Sequence, residues 1–196
     1  MEPRWRAHRQ QPHFRVAASD DAEAVAELHA ASWRSHYRGA YSDAFLDGDV
    51  MADRLAVWRE RLREPDRSTC TILAEDGDLV GFAHTVFEDD PAWGALLENM
   101  HVAEGHKRRG IGSRLLGLTA EAMIERGQRS GLYLWVLEQN TDAQAFYAAS
   151  GGRRTGRELA SPPGGIASRL SGAPAKLRFA WRDPAVLLGA RERITP

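Results

Sequence analysis

The chain has 196 residues, 43% of them hydrophobic, and a formal net charge of −1, so we expect one domain, at most two, with a sizeable core. The balanced charge argues against a nucleic-acid partner, and because no apolar run reaches membrane-spanning length we expect no membrane association. The single cysteine, Cys70, excludes an internal disulfide and, with a polar N-terminus that lacks a signal-peptide core, favours a cytoplasmic location.

The first part of the chain predicts a strand and two helices. Residues 1–12 are expected to form a loose tail, and the folded domain is expected over residues 13–182. It begins with a short strand at His13, followed by a helix whose apolar side chains recur at helical spacing and which ends at Tyr37-Arg-Gly39. A loop then leads to a second helix over about residues 50–62.

A β-hairpin and a strand–turn–helix unit are predicted next. The two hairpin strands lie between residues 69 and 87 and are separated by the acidic turn Glu75-Asp-Gly-Asp78. Another strand is expected over residues 95–102. The helix after it carries apolar residues at spacings of four, three and four, starting from Ile111.

A basic, glycine-containing turn joins this strand to this helix. Residues 102–113 read Val-Ala-Glu-Gly-His-Lys-Arg-Arg-Gly-Ile-Gly-Ser. Free N–H groups at the helix start, the helix dipole and the glycines make such a turn an anion site. A P-loop is excluded because Ile111-Gly112 follows Gly110, and a dinucleotide fingerprint is excluded because Leu115 replaces its third glycine. We therefore predict that a phosphorylated ligand binds at residues 107–113.

The last third of the chain predicts a strand, a short helix and two more strands. A buried strand over residues 131–137 precedes a helix with Thr141 as its predicted N-cap and a glycine, Gly151, just past its end. Strands over residues 153–159 and 175–182 complete the domain.

The loop between the last two strands is unusually long. Residues 161–174 far exceed the two to five residues of an ordinary hairpin loop, which is typical either of a binding lid or of disorder. Residues 183–196 are expected to be a C-terminal tail, with a short helix as the alternative.

Two segments resemble the motifs of one family, the GNAT superfamily of N-acetyltransferases. Lys107-Arg-Arg-Gly-Ile-Gly112 is similar to its acyl-CoA pyrophosphate loop, Gln/Arg-x-x-Gly-x-Gly/Ala. The second motif, Asn-x-x-Ala-x-x-Phe-Tyr-x-x-x-Gly-Phe, is matched in the expected order by Asn140, Ala143, Phe146, Tyr147 and Gly151. The chain departs from the family at Lys107, in the Gln/Arg position, and at Gly152, in place of the final aromatic residue.

The resemblance implies an α/β (α+β) fold with a central, mixed but mostly antiparallel sheet of about seven strands and about four flanking helices. It also implies acetyl-CoA as the co-substrate. The residues expected to hold it are Met100, Val102, Lys107, Arg108, Arg109, Gly110, Ile111, Gly112, Ser113 and Asn140. No metal is expected, because the histidines show no paired spacing of the His-Glu-x-x-His kind.

Two residues are the implied catalysts. Tyr147 stands where the family places a general acid, and a phenol with a pKa of about 10 can protonate a departing thiolate. Glu98 stands four residues before Val102, where many family members carry a general base for the acceptor amine. A packed helix tyrosine and a strand-face carboxylate are the alternatives, and His84 and His101 are rival bases.

We therefore expect an N-acetyltransferase that moves acetyl from acetyl-CoA to a primary amine of a small molecule by direct attack in a ternary complex. Tyr37 and Tyr41 are candidates for an aromatic wall around the amine, with core packing as the alternative. Acidic residues at 43–53 and 88–90 would suit a cationic acceptor, although solvated loop charge is the simpler explanation. The alternatives are a non-catalytic acyl-CoA sensor and a protein N-terminal or lysine acetyltransferase, and homodimerisation is left open.

Overall fold

A computed structural model of the protein describes residues 11–64, 66–128 and 130–191. The α-helices of this part of the chain are α1 (Ala22–His36), α2 (Asp43–Asp47), α3 (Val50–Leu62), α4 (Ile111–Glu125) and α5 (Thr141–Ala149). The strands are β1 (His13–Val16), β2 (Thr69–Asp76), β3 (Asp78–Asp90), β4 (Gly94–Val102), β5 (Leu132–Leu137), β6 (Arg153–Leu159) and β7 (Ala175–Trp181).

The strands form one seven-stranded sheet in the order β1-β2-β3-β4-β5-β7-β6. Neighbouring strands are antiparallel except for β4 and β5, which run parallel. The parallel pairing covers two residue pairs, Ala95 with Leu132 and Leu96 with Tyr133. No β-pairing joins residues 98–102 of β4 to residues 134–137 of β5, and this unpaired stretch between the two strands is hereafter the β4–β5 gap.

A close backbone contact fixes the narrow end of this gap. Gly94 has a φ of +88°, and a Cβ atom at this position would lie 2.0 Å from the carbonyl oxygen of Gly131. That oxygen accepts a hydrogen bond of 2.9 Å from the N–H of Ala95. Only glycine allows β4 and β5 to start this close together.

Helices cover both faces of the sheet. On one face, Val25 of α1 and Trp58 of α3 pack with Leu73 and Phe82 of β2 and β3. On the other face, α4 and α5 share a single core cluster with five of the strands. The β4–β5 gap is therefore flanked by α1 on one side and by α4 and α5 on the other.

The predicted fold class is confirmed, and local differences have physical reasons. The short helix α2 lies where a loop is predicted, because five residues are too few to show helical periodicity. Asn140 rather than Thr141 is the N-cap of α5, and its side chain accepts a hydrogen bond from the N–H of Ala143. The loop at 161–174 contains two 3-10 turns, Pro163–Gly165 and Ala167–Arg169.

Both predicted tails extend beyond the described residues. Residues 1–10 and 192–196, which belong to the predicted tails 1–12 and 183–196, lie outside the part that the structure describes. Within the described part, Pro184–Arg191 forms a 3-10 helix with Leu187 buried against α4. No helix of the described residues is both long and apolar enough to span a membrane.

Candidate active site

The N-terminus of α4 forms an anion-binding cradle. Gly110 is its N-cap, with φ +81° and ψ −4°, and Arg108 also has a positive φ, +60°. The N–H groups of the first helical residues, 111–113, have no acceptor within the helix. The first N–H group that donates within the helix is that of Arg114, which donates to the Gly110 oxygen at 3.0 Å. Left-handed residues among right-handed ones aim successive N–H groups at one point, which suits a phosphate oxygen.

The basic side chains of this loop differ in how free they are. Lys107 Nζ lies 2.6 Å from Glu104 Oε2 and donates to His36 Nε2 at 2.7 Å, so it is turned toward the end of α1. Arg109 pairs with Asp76 at 2.9 Å. Arg108 is exposed and makes no hydrogen bond or ion pair with a described residue. Of these three predicted ligand contacts, Arg108 is the one whose side chain is free to meet a phosphate.

The two flanks of the α4 N-terminus have different surroundings. Gly112 faces α5, where an added Cβ would lie 3.3 Å from the ring of Phe146. On the flank facing β1, a cavity of about 420 Å³ is lined by Phe14, Arg109, Gly110, Ser113, Arg114 and Leu187. The cavity therefore shares the loop with the β4–β5 gap but does not coincide with it, and the gap holds the candidate catalytic residues.

The backbone of β4 is free on the side of the gap. Met100 pairs with Ala83 and Val102 with Gly81, both of β3, while no described strand pairs with the other edge of these two residues. Their side chains pack against the α4 core cluster. Backbone N–H and C=O groups at this edge can therefore bond an extended ligand that contains amides.

Tyr147 of α5 lies in the core cluster on the side of the sheet that carries α4 and α5. It is 8% exposed and packs against Phe179 and Trp181, with ring centroids at 6.0 and 6.2 Å. Its hydroxyl makes no hydrogen bond with a described residue, and burial, followed by the nearby Tyr37, raises the pKa of Tyr147 well above its usual value. The phenol therefore keeps its proton at neutral pH. Asn140, predicted as a cofactor contact, acts here as the N-cap of the helix that carries Tyr147.

Trp181 explains the departure from the family motif at Gly152. A Cβ atom on Gly152 would lie 2.7 Å from Cζ2 of Trp181 and 2.9 Å from the Tyr147 carbonyl oxygen. The indole N–H of Trp181 donates to the Ser150 oxygen at 2.9 Å. The aromatic ring beside the end of α5 is thus supplied by β7, and the residue at position 152 must be small.

Glu98 lies on a β-bulge in β4. Leu97 pairs with Thr85 and Asn99 with His84, which leaves Glu98 as the extra residue. Its carboxylate is 2.6 Å from Nη2 of Arg61 on α3, and the His84 Nε2 is 3.8 Å away. The bulge therefore turns Glu98 toward α3, where an arginine holds it in place.

Of the two rival bases, His84 is buried and His101 is half-buried, and both are neutral. His84 Nδ1 lies 2.8 Å from Thr71 Oγ1, and His101 Nδ1 lies 2.7 Å from Ser32 Oγ. Burial, with smaller contributions from nearby positive groups, lowers the pKa of each imidazole to about 3. Because a general base works best with a pKa near the working pH, neither histidine is well tuned for this role.

An aromatic cluster, Trp33, Tyr37 and Tyr41, flanks the gap on the α1 side. Trp33 stacks on Tyr37 at 5.3 Å, and Tyr41 meets Trp33 edge-on at 5.0 Å. Trp33 and Tyr41 are 6% and 9% exposed, so both are mainly packing residues. Burial raises the pKa of Tyr37 to about 12, and the nearby Trp33 indole and Arg54 oppose this increase. The indole N–H of Trp33 makes no hydrogen bond with a described residue.

Three arginines that contact residues of the site could not be recognised from the sequence. Arg54 and Arg61 lie on the inner side of α3, and Arg169 lies in the 161–174 loop. Arg54 is four residues from both Val50 and Trp58, so helical spacing alone places it on the buried face. This spacing could have identified Arg54 from the sequence, whereas no local pattern identifies Arg169.

The 161–174 loop is docked rather than free. Arg169 Nη1 lies 2.5 Å from Asp53 Oδ1 on α3, and the Arg169 oxygen accepts from the Ser42 N–H at 2.9 Å. Leu170 forms an isolated antiparallel bridge with Tyr41. Of the two interpretations of this loop, these contacts favour an ordered segment over a disordered one. The loop packs beside the aromatic cluster.

The described residues contain no group of three or more His, Cys, Asp or Glu side chains placed to hold a metal ion.

Comparisons with known proteins agree with this geometry. Residues 22–151 match the Acetyltransferase (GNAT) family. The chain is 26% identical over 137 residues to the uncharacterized N-acetyltransferase YuaI of Bacillus subtilis (strain 168), covering 69% of this chain and 76% of that protein. It is 36% identical over 87 residues to streptothricin acetyltransferase of Streptomyces lavendulae, 43% of each protein. The structure of the PaiA N-acetyltransferase from Thermoplasma acidophilum in complex with coenzyme A superposes with a TM-score of 0.60 at 18% identity, covering 88% of this chain and 100% of that one.

Proposed function

The chain belongs to the GNAT acetyltransferase family and is therefore an acyltransferase, and we propose that it moves the acetyl group of acetyl-CoA to the primary amine of a small molecule in the cytoplasm. The observation that supports this most directly is the arrangement around the β4–β5 gap. A protonated tyrosine, Tyr147, lies on the face of the sheet that carries α4 and α5, and a carboxylate, Glu98, lies on the strand that borders the gap. The anion cradle follows that strand, at the N-terminus of α4. The similarity to streptothricin acetyltransferase supports a small-molecule acceptor.

The residues present fit acetyl-CoA in two places. The free N–H groups at the start of α4, with Arg108 beside them, suit its pyrophosphate. The unpaired edge of β4 at Met100 and Val102 suits the amides of its pantetheine arm. Acetyl-CoA would supply the acetyl group as a thioester and leave as a thiol.

The chain's own residues would then move two protons. Glu98 takes a proton from the acceptor ammonium, directly or through water, so that the nitrogen lone pair can attack the thioester carbon. As the new C–N bond replaces the C–S bond, Tyr147 donates its phenolic proton to the departing sulfur. The acceptor nitrogen loses a second proton as it becomes the amide nitrogen. One of its two protons restores Tyr147 and the other leaves to solvent, so an ammonium and a thioester give an amide, a thiol and one proton. Direct attack needs no covalent enzyme intermediate.

A substitution at Gly110 tests the cofactor site. Gly110→Val is expected to weaken acetyl-CoA binding at least tenfold, because a β-branched side chain strains the left-handed N-cap and blocks close approach to the backbone. The measurement is the dissociation constant by isothermal titration calorimetry. Gly127→Val is the matched control, since Gly127 also has a positive φ, +73°, with open space around it and no part in the loop. Equal losses in the two variants would move the site elsewhere.

A substitution at Glu98 tests the base. Glu98→Gln keeps the size of the side chain but cannot take a proton, so kcat/KM is expected to fall at least tenfold at pH 7. The defect should shrink as the pH rises toward the amine pKa of about 10, because the medium then supplies more free amine. The measurement is the pH profile of kcat/KM beside wild type.

Glu60→Gln is the control for this variant, since Glu60 is exposed on the same helix as Arg61 and pairs with Arg63. Profiles of the same shape for wild type and Glu98→Gln would show that Glu98 is a strand-face carboxylate. His101 and His84 would then be the next bases to test.

A further inference from the structure

Arg54 carries a buried guanidinium with unused hydrogen-bonding capacity. The residue is 7% exposed, and its guanidinium carbon lies 4.2 Å from the centre of the Trp33 ring. Two of its nitrogens, Nε and Nη2, donate to one oxygen, Oδ2 of Asp53, at 3.0 and 2.5 Å. The third nitrogen, Nη1, makes no hydrogen bond with a described residue. A guanidinium offers five N–H donors, so this one has donors left for a ligand.

The charges around Arg54 do not balance. The other oxygen of Asp53 receives Nη1 of Arg169 at 2.5 Å. One carboxylate is therefore shared by two arginines, and the cluster carries one positive charge in excess. Because an uncompensated buried charge is costly, this excess needs a physical reason. A single negative charge on a bound molecule would supply one.

The excess charge lies beside the residues that flank the β4–β5 gap. Arg54 acts electrostatically on Tyr37, Tyr41 and His101, favouring the deprotonated form of each. The geometry agrees, because the Arg54 guanidinium lies over the ring of Trp33, which in turn stacks on Tyr37. Arg54 therefore adjoins the aromatic cluster that flanks the gap on the α1 side.

Three of the acidic residues that the sequence offered for a cationic acceptor are paired with arginines. Asp43 and Asp47 both bind Arg38, and Asp53 binds Arg54 and Arg169. The carboxylate of Glu98, beside the gap, binds Arg61. Asp89 accepts from the hydroxyl of Tyr133 on β5. The charge near the gap therefore favours an acceptor with a negative group over a polycation.

We propose that Arg54 binds a carboxylate of the acceptor, so that the substrates of this enzyme are amines that also carry a carboxylate, such as amino acids. The inference rests on the proposed acetyltransferase function and adds the substrate class and the residue that selects it. Guanidinium groups bind carboxylates with charge-assisted hydrogen bonds, and the excess of one positive charge matches one carboxylate.

Matched acceptor pairs test this proposal. Each α- or ω-amino acid of a panel is compared with its own amide, and kcat/KM is measured by thiol release from acetyl-CoA. Rates are expressed per unprotonated amine, because conversion to the amide changes the amine pKa. Wild type is expected to prefer the best carboxylate-bearing amine over its amide at least tenfold, the range of a hydrogen bond to a charged group.

Variants then assign the preference to Arg54. Arg54→Gln is expected to bring the acid and the amide to within about twofold of each other, mainly through a higher KM for the acid. Arg54→Lys keeps the charge but loses the planar fork, so it should keep part of the preference. Arg63→Gln is the matched control, because Arg63 is an exposed arginine of the same segment that pairs with Glu60; it should keep the wild-type ratio.

The outcomes distinguish failure of the Arg54 proposal from failure of the proposed acetyltransferase function. Thiol release with amines but no preference for a carboxylate in wild type overturns the inference and leaves the acetyltransferase intact, even if Arg54→Gln fails to fold. A preference that survives in folded Arg54→Gln overturns the role of Arg54. No thiol release with any amine overturns the proposed function and this inference with it.

Discussion

Tyr147→Phe is expected to lower kcat about 10²-fold while leaving the affinity for acetyl-CoA within about twofold of wild type. The change removes one hydroxyl from a side chain that is 8% exposed and otherwise packed among Phe146, Phe179 and Trp181. That hydroxyl makes no hydrogen bond with a described residue, so its loss breaks no internal contact in the described fold. The hydroxyl would donate its proton as the sulfur leaves, so its removal should lower kcat rather than the affinity for acetyl-CoA.

Single-turnover kinetics beside calorimetry separate these two effects. Tyr133→Phe is the control, because Tyr133 is a similarly buried tyrosine whose hydroxyl donates to Asp89 and which precedes the part of β5 that borders the gap. Near-native turnover in a folded Tyr147→Phe would assign the proton to water or to another group. A large loss in acetyl-CoA affinity would instead make Tyr147 a binding residue.

Gly94→Ala is expected to lower the free energy of unfolding by about 3 kcal/mol or more. The new Cβ atom would lie 2.0 Å from the Gly131 oxygen, and both contacting groups are backbone, so no flexible side chain can move away. The backbone at this position also has a φ of +88°, which an alanine adopts only with strain. β4 and β5 would have to separate where they now meet.

Chemical denaturation measures this loss, and Gly77→Ala isolates the strain from the collision. Gly77 has a φ of +82°, but a Cβ atom there would meet nothing within 4 Å. This control should cost only about 1–2 kcal/mol. Equal losses in the two variants would show that the close approach of Gly94 to Gly131 does not hold the strands together.

Much of this fold could be predicted from the chain because its signals are local. Hydrophobic periodicity predicted α3 at about 50–62, where the structure has Val50–Leu62, and the turn around Gly77 predicted the β2–β3 hairpin. The helix α2 was not predicted because its five residues complete little more than one helical turn. Local sequence patterns therefore predict long helices and strands better than short ones.

The site could be predicted in part, for the same reason. The basic loop, Glu98 and Tyr147 are visible as sequence motifs, whereas their partners are distant in the chain. Lys107 and His36 are 71 residues apart, and Arg169 and Asp53 are 116 apart. No periodicity connects such pairs. The hydrogen bond between Lys107 and His36, the ion pair between Glu98 and Arg61, and the excess charge beside Arg54 therefore become visible only in the folded structure.

Amine-dependent release of free thiol from acetyl-CoA, measured together with the mass of the product, tests the proposed function most directly. We expect thiol release to require an amine and to yield one acetylated amine for each thiol released, with both quantities falling together in Tyr147→Phe. Tight binding of acetyl-CoA without thiol release from any amine of the panel would contradict the proposal and would make the protein an acyl-CoA-binding module.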